Sequence, residues 1–342
     1  MVTIQDIAKE SGVNKSTVSS VLNGKAKKAR ISEKTCAKVL AMAQKLGYKR
    51  NELARSVATG KSNVIAFVSW DTGVCEYIGK IISGILEELS DHDYSLKVFN
   101  LTYDNSREIA MQIIQQRIDG VIFHFSERSC FELLREEMHK NNIPCAVVNL
   151  TSKECEVGVT TNDFEGTRQA VKYLAELGHK RIMYISHELH NGNIEYIENR
   201  ENGYRQGVKD YLKSEGQAEI VKVPARSKDK LDQIVALFNN AEADLPTAVM
   251  CINDVIAMKV MQIAYKAGIA IPEELSIVGF ANLDTAKYAV MPLTTIAQPF
   301  RQMGSEAAKM LINILKGNKL GKAKNTKMEV KLIIRESTAA VK

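Results

Sequence analysis

The stretch TIQDIAKESGVNKSTVSSVLNG, residues 3–24, holds two short amphipathic patterns broken by one glycine. Thr3 followed by Asp6 is a helix-opening capping pair, and Ile4, Ile7 and Ala8 share one side of the first pattern. Gly12 supplies the backbone freedom of a tight turn. Asn14 is a natural N-cap for a second helix over 15–23, where Val18, Val21 and Leu22 form the apolar stripe. Its opposite face carries Lys15, Ser16, Ser19, Ser20 and Asn23, all small or cationic hydrogen-bonding groups. A third helix is predicted from a Ser32 cap through Leu46, with Val39, Leu40, Ala43 and Leu46 inward and Gly47 ending it. Ile4, Ile7, Val13, Val18, Val21, Leu22 and Leu40 would then make one small core.

Two helices joined at a glycine turn make a helix-turn-helix, whose second helix enters the major groove of DNA. Bulky side chains on its outer face would hold the backbone off the bases, whereas Ser, Thr, Asn and Lys let it approach. A generic three-helix packing unit has the same periodicity, so charge separates the two readings. Residues 1–61 carry 13 Lys and Arg against 4 Asp and Glu, while the remainder of the 342-residue chain is close to neutral. A basic module joined to a neutral body favours a polyanionic partner over a merely solvated surface.

From Val64 the pattern changes. Apolar bursts at 64–70, 95–100, 120–125 and 145–149 alternate with amphipathic helical stretches, and a second series follows at 181–186, 218–223, 247–252 and 276–281. Buried strands separated by helices imply βαβ units and parallel sheets. Two series of similar size imply two doubly wound subdomains, with any ligand in the crevice at the strand C-termini. Between module and body, NELARSVATG (51–60) is a fourth helical candidate, too short to be stable alone in water. KLIIRE (331–336) is the last strand, and no leucine heptad follows it to indicate a tetramer.

Composition excludes other classes. Apolar residues make up 45% and charged residues 25%, as in ordinary globular protein. No apolar run approaches a membrane span, and MVTIQDIAKE lacks the form of a secretory signal. The six cysteines are irregularly spaced, which suits reduced thiols in the cytoplasm rather than disulfides or a zinc site. GKS at 60–62 is no phosphate loop, because Arg55 stands where the first Gly is needed, and HELH (187–190) lacks the two-histidine spacing of a zinc protease. No catalytic nucleophile motif, cofactor site or metal site is expected.

TIQDIAKESGVNKSTVSSVLNG with ISEKTCAKVLAMAQKLGYKRNELARSVATG resembles the amino-terminal headpiece of the lactose-repressor/galactose-repressor (LacI/GalR) family. The likeness continues through NDFEGTRQAVKYLAELGHKRI (162–182), RENGYRQGV (200–208), TAVMCINDVIAMKVMQIAYKAGIAIPEELSIVGFAN (247–282) and PLTTIAQPF (292–300). It implies an all-α helix-turn-helix headpiece plus an α/β periplasmic-binding-protein-like body of two doubly wound parallel-sheet subdomains. The expected division is a headpiece over 1–48, a hinge helix over 49–61, one subdomain from 62–161 with 293–321, and the other from 162–292 with 322–342. The resemblance further implies a cytoplasmic homodimer that binds double-stranded operator DNA as a transcriptional regulator, answering to a small-molecule effector in the cleft. It implies no membrane and no enzyme activity. A solute receptor would share the body but not the basic headpiece, and a sugar-processing enzyme would need an acid, base or nucleophile in the cleft.

Carried over residue by residue, the likeness places Lys15, Ser16 and Ser20 against bases and Thr17, Ser19 and Asn23 near phosphates. Ser20 stands where many members have Arg, so the half-site should differ there. In the hinge, Arg50, Ala54, Arg55 and Val57 would meet DNA; Val57 replaces a Leu wedge and Arg50 a Pro. Asp71, Tyr77, Asn149, Arg200, Asn253, Asp254, Ala281, Asn282 and Gln298 match effector-pocket positions. Ala281 replaces an Asp that takes sugar hydroxyls in many members. If Arg200 lacks a partner, the effector is expected to be acidic or phosphorylated, or ordinary sugar binding to be lost. The alternative is that Arg200 bonds backbone carbonyls or a nearby acid such as Asp254.

Overall fold

The structure is a computed structural model, describing residues 2–48, 61–70, 75–102, 104–124, 128–151 (backbone only for 128–131), 155–188, 194–212, 218–224, 231–240, 245–318 and 325–341. The chain divides into two compact units, 1–62 and 63–342.

The first unit contains α1 (Ile4–Ser11), α2 (Lys15–Leu22) and α3 (Glu33–Lys45). The capping box forms as expected, with the Thr3 amide donating to Asp6 and the Asp6 amide to Thr3 Oγ1. Gly12 takes the left-handed conformation, φ 65°, that ends α1 and starts the turn. Asn14 holds the N-cap position of α2, but its side chain makes no capping bond. Ser32 caps α3 by accepting from the Thr35 amide at 3.3 Å. Ile7, Val18 and Val39 are fully buried, with Ala8, Val21 and Ala43 around them. Leu40 is not in this core. It is 53% exposed, because Val39 and Ala43, four residues apart, already define the inward stripe and Leu40 lies about 100° around the helix from Val39.

The second unit holds two six-stranded sheets. β1 (Val64–Trp70), β2 (Ser95–Leu101), β3 (Gly120–His124), β4 (Cys145–Val148), β5 (Val157–Thr161) and β11 (Asn325–Met328) form the first, in the order β11-β5-β4-β3-β1-β2, all parallel. β6 (Ile182–Glu188), β7 (Glu219–Pro224), β8 (Ala248–Cys251), β9 (Ser276–Ala281), β10 (Thr294–Ala297) and β12 (Lys331–Ile333) form the second, in the order β12-β10-β9-β8-β6-β7. Only β12 runs antiparallel to its neighbour. Helices α4 (Glu76–Ser90), α5 (Ser106–Gln115), α6 (Arg128–Lys140) and α12 (Phe300–Leu315) serve the first subdomain. Helices α7 (Asp163–Glu176), α8 (Glu195–Gly207), α9 (Asp232–Asn239), α10 (Asp254–Lys266) and the short α11 (Asp284–Lys287) serve the second.

The eight apolar bursts and the last strand are strands, whereas β5, β10 and β11 are additional to those expected. VGVTT, TTIA and NTKM are short and rich in threonine or polar residues, so they lack the apolar burst that marks a buried strand. This also corrects the expected changeovers at 293 and 322. β10 pairs with β9 in the second sheet, and β11 pairs with β5 in the first. Each strand is finished before the chain crosses, so the second and third crossings fall at 298–299 and 329–330.

Candidate DNA interface and effector cleft

On α2, Lys15 and Ser16 are exposed and Thr17, Ser19, Ser20 and Asn23 half-buried, while Val18 and Val21 face the core. The Asn23 side-chain amide donates to Ser19 Oγ at 3.2 Å, so these two are oriented together. The outer face is therefore as flat as the sequence suggests. Lys25, Lys27, Lys28, Arg30 and Lys34, all exposed, extend the positive charge through the following loop into the start of α3. Arg50, Ala54, Arg55 and Val57 lie outside the described residues, as does Asp71.

In the body, side chains gather at the C-terminal ends of both sheets, where a doubly wound fold opens its crevice. On the first subdomain, Tyr77 of α4 packs against His124 at the end of β3 and against Phe300, with ring centroids 5.4 and 5.2 Å apart. His124 Nδ1 bonds Ser69 Oγ at 3.0 Å, and its buried Nε2 has no hydrogen-bond partner among the described residues. Burial holds this imidazole neutral, with a pKa lowered to about 4. Asn149 follows β4 with φ 68°, its amide tied to the Val159 carbonyl.

On the second subdomain, His187 ends β6, and its Nε2 lies 3.3 Å from Asn253 Nδ2. Burial, then the charge of Arg200, lowers its pKa to about 4 as well. Asn253 also caps α10, its Oδ1 accepting from the Ile256 amide. Asp254 is fully buried and turned inward, accepting from Thr295 Oγ1 at 2.5 Å and the Leu283 amide at 2.8 Å. Desolvation raises its pKa against those bonds. Ala281 is nearly buried, and Asn282 accepts from Arg335 at 2.5 Å.

At Arg200 the structure favours the second of the two alternatives, a bonded side chain, with a different acid from the one named. Arg200 is 4% exposed and is not left without a partner. Its Nε donates to Asp163 Oδ2 at 2.9 Å, Nη1 to the Ile252 carbonyl at 2.6 Å, and Nη2 to Gln298 Oε1 at 3.1 Å. The Phe280 ring covers the guanidinium at 3.6 Å and Tyr196 lies at 4.9 Å. The acid that pairs with it is Asp163, not Asp254, so the premise of an unsatisfied cation in the cleft does not hold. Gly203, one turn along α8, lets that helix touch α7: a Cβ there would sit 2.2 Å from the Phe164 carbonyl oxygen.

Two carboxylates bridge the subdomains at the rim. Glu76 of α4 accepts from the amides of Asp284 (2.7 Å) and Thr285 (3.3 Å) in α11, with Lys80 joining both acids. Glu195 of α8 accepts from the Thr151 amide at 2.8 Å. Sequence reasoning gives none of Ser69, Glu76, His124, Asp163, His187 or Glu195 a place in the cleft. Polar residues closing apolar strands, as in VIAFVSW, GVIFHF and RIMYISHE, are the available signal for Ser69 and the two histidines. Among the described residues, no helix is long and apolar enough to cross a membrane, and no cluster could hold a metal ion.

Comparison with known proteins places this geometry. Residues 3–51 match the family described as bacterial regulatory proteins, lacI family, and residues 171–338 match a periplasmic binding protein-like domain. The HTH-type transcriptional repressor CytR of Escherichia coli (strain K12) is 31% identical over 99% of this chain and 97% of its own length. The HTH-type transcriptional regulator DegA of Bacillus subtilis (strain 168) is 29% identical over 98% of both chains. Among solved structures, the lac repressor dimer bound to operator and the anti-inducer ONPF superposes with a TM-score of 0.83 at 23% identity, covering 99% of each chain. A LacI family regulator from Enterococcus faecium with bound ribose gives a TM-score of 0.69 at 26% identity, covering 81% of this chain and all of that one. A cationic helix-turn-helix unit followed by a two-sheet cleft-bearing body, with full-length likeness to such proteins, makes the conclusion plain: this chain belongs to the LacI family of DNA-binding transcriptional regulators.

Proposed function

We propose that the protein is a cytoplasmic repressor that grips a pseudo-palindromic operator as a homodimer and answers to an uncharged small molecule in the body's cleft. The observation that carries the DNA reading is α2, whose outer face is small, polar and cationic while its inner face anchors the headpiece core. Lys15, Ser16 and Ser20 read base edges, and Thr17, Ser19 and Asn23 hold phosphates. Arg50, Ala54, Arg55 and Val57 act in the linker. The working division is a headpiece over 1–48, a linker over 49–61 and two subdomains that exchange at 162, 298–299 and 329–330. Large apolar side chains left exposed on the body, among them Leu86, Val98, Val255, Tyr288 and Val290, offer surface for a second copy to cover.

An uncharged effector follows from the site's charge balance. Arg200 is already neutralised by Asp163, and Asp254 is spent on Thr295 and Leu283. Among the described residues, what the cleft offers a ligand is neutral: Asn149, Asn253, Asn282 and the bare Nε2 of His124, beside the Tyr77 ring. Burying an anion against these neutral groups, with no free cation among the described cleft residues, would be costly. Asp71, Arg200 and Gln298 are secondary contacts in this reading. The relatives this chain resembles along its full length are transcriptional regulators, which favours a regulator over an enzyme.

One experiment tests both halves. Full-length protein and a form lacking residues 1–62 are compared for duplex DNA binding, and for thermal stabilisation by ribose, glucose and adenosine beside their phosphorylated counterparts. Truncation should abolish DNA binding and leave stabilisation by uncharged compounds intact. Stabilisation by the phosphorylated member of a pair alone would overturn the effector class, and DNA binding by the truncated body would overturn the headpiece assignment.

A further inference from the structure

The chain passes between the two subdomains three times, at 162, at 298–299 and at 329–330. Four buried side chains close a ring across the first two passages. Arg200 Nη2 donates to Gln298 Oε1 at 3.1 Å, and Gln298 Nε2 donates to Thr161 Oγ1 at 2.9 Å. Thr161 Oγ1 donates to Asp163 Oδ1, and Asp163 Oδ2 accepts from Arg200 Nε at 2.9 Å. Thr161, Asp163, Arg200 and Gln298 are each 8% exposed or less. The donors run from the guanidinium to the carboxylate by both routes, so no member can turn without breaking two bonds. The third passage is tied on beside it: the Asn162 amide donates to the Met328 carbonyl at 2.8 Å, and its side-chain amide reaches the Glu329 carboxylate at 3.3 Å.

We infer that Arg200 is a positioning residue of the hinge, closing the Arg200–Gln298–Thr161–Asp163 ring that makes the crossing strands move as one unit. Three independent linkers would let the subdomains twist or shear in several ways. A ring that bridges two of them, with the third bonded to the same turn, restricts the motion to one axis. Closure of the cleft is then transmitted as a whole-subdomain rotation, the type of discrete two-state motion that coupling between distant sites requires. Arg200 is suited to this by its planar fork, which engages Asp163, Ile252 and Gln298 together, and by the Phe280 ring that clamps it. The regulatory consequence rests on the cleft being the effector site. The ring itself does not.

The test is residue-resolved amide hydrogen exchange on the full-length protein, without DNA or ligand, so that its failure is separate from failure of the regulatory reading. Gln298→Leu removes both ring bonds at the second passage and touches neither Asn162 nor Met328. Thr161→Val removes both ring bonds made by Thr161, at the first passage, without touching the Phe300 amide, which donates to the Gln298 carbonyl. Gln298→Leu should speed exchange of the Asn162 amide at least tenfold, and Thr161→Val should speed that of Phe300, because coupling between two sites is reciprocal. The Val121 amide, bonded to Pro144 inside the first subdomain, should be unchanged in both. Acceleration confined to each variant's own passage, or uniform acceleration that includes Val121, overturns the proposal.

Discussion

At Arg200 a single side chain shows how far residue identity alone can carry an inference. Its position is legible through RENGYRQGV, but its partner is not, because Asp163 lies 37 residues earlier and meets it only once α7 and α8 pack. The burial of His124 and His187 escapes notice for a related reason. Nothing local says that a histidine at the end of an apolar strand will be buried rather than wetted. Both are held neutral by burial, with pKa values lowered to about 4 from an ordinary 6.5. Because the folded values lie below the unfolded ones, the stability they permit is fully present above pH 6.5 and is withdrawn as pH falls toward 4. Each contributes on the order of 3 kcal/mol to that loss at its limit. Urea unfolding of the protein lacking residues 1–62 should therefore shift to lower midpoints between pH 6.5 and 4, and His124→Asn should flatten part of the slope. A wild-type midpoint constant across that range would show that the two imidazoles are not buried neutral.

Among the elements, those with a strong period are the ones a sequence discloses. α1 and α3 carry side-chain caps and a stripe, α2 a stripe alone, and the eight apolar bursts are strands. β5, β10 and β11 stay hidden because their residues are polar or threonine-rich and take strand form from their neighbours in the sheet. Leu40 misleads for the opposite reason: its hydrophobicity suggests the core, but its angle on α3 turns it outward. The packing of α7 on α8 gives a direct check of the body. The Cβ introduced by Gly203→Ala has no room beside the Phe164 carbonyl, so the helices would have to part. That change should cost about 1–3 kcal/mol and lower the melting temperature by several degrees, as overpacking does. An unchanged melting curve would mean that α7 and α8 do not meet as described. The rim bridge of Glu76 to α11 has its own sign. Desolvation opposes ionisation there, but the amides of Asp284 and Thr285 and the charge of Lys80 outweigh it, so the Glu76 carboxyl titrates below the ordinary range. The bridge is thus kept at neutral pH and lost only in acid.

For the chain as a whole, the division into a basic headpiece and a neutral body is visible in the charge count alone. The crossings are harder to place. They depend on which sheet each late strand joins, and pairing partners are far apart in sequence. In the function proposed above, regulation rests on the small polar face of α2, presented twice by a symmetric dimer, reading duplex DNA. The decisive experiment is selection from a random duplex library by purified full-length protein at moderate salt, followed by sequencing of what is retained. Enrichment of one two-fold-related site is expected, lost when Lys15 and Ser16 are both changed to alanine. Retained sequences with no common motif, or a single motif without its inverted copy, would refute it.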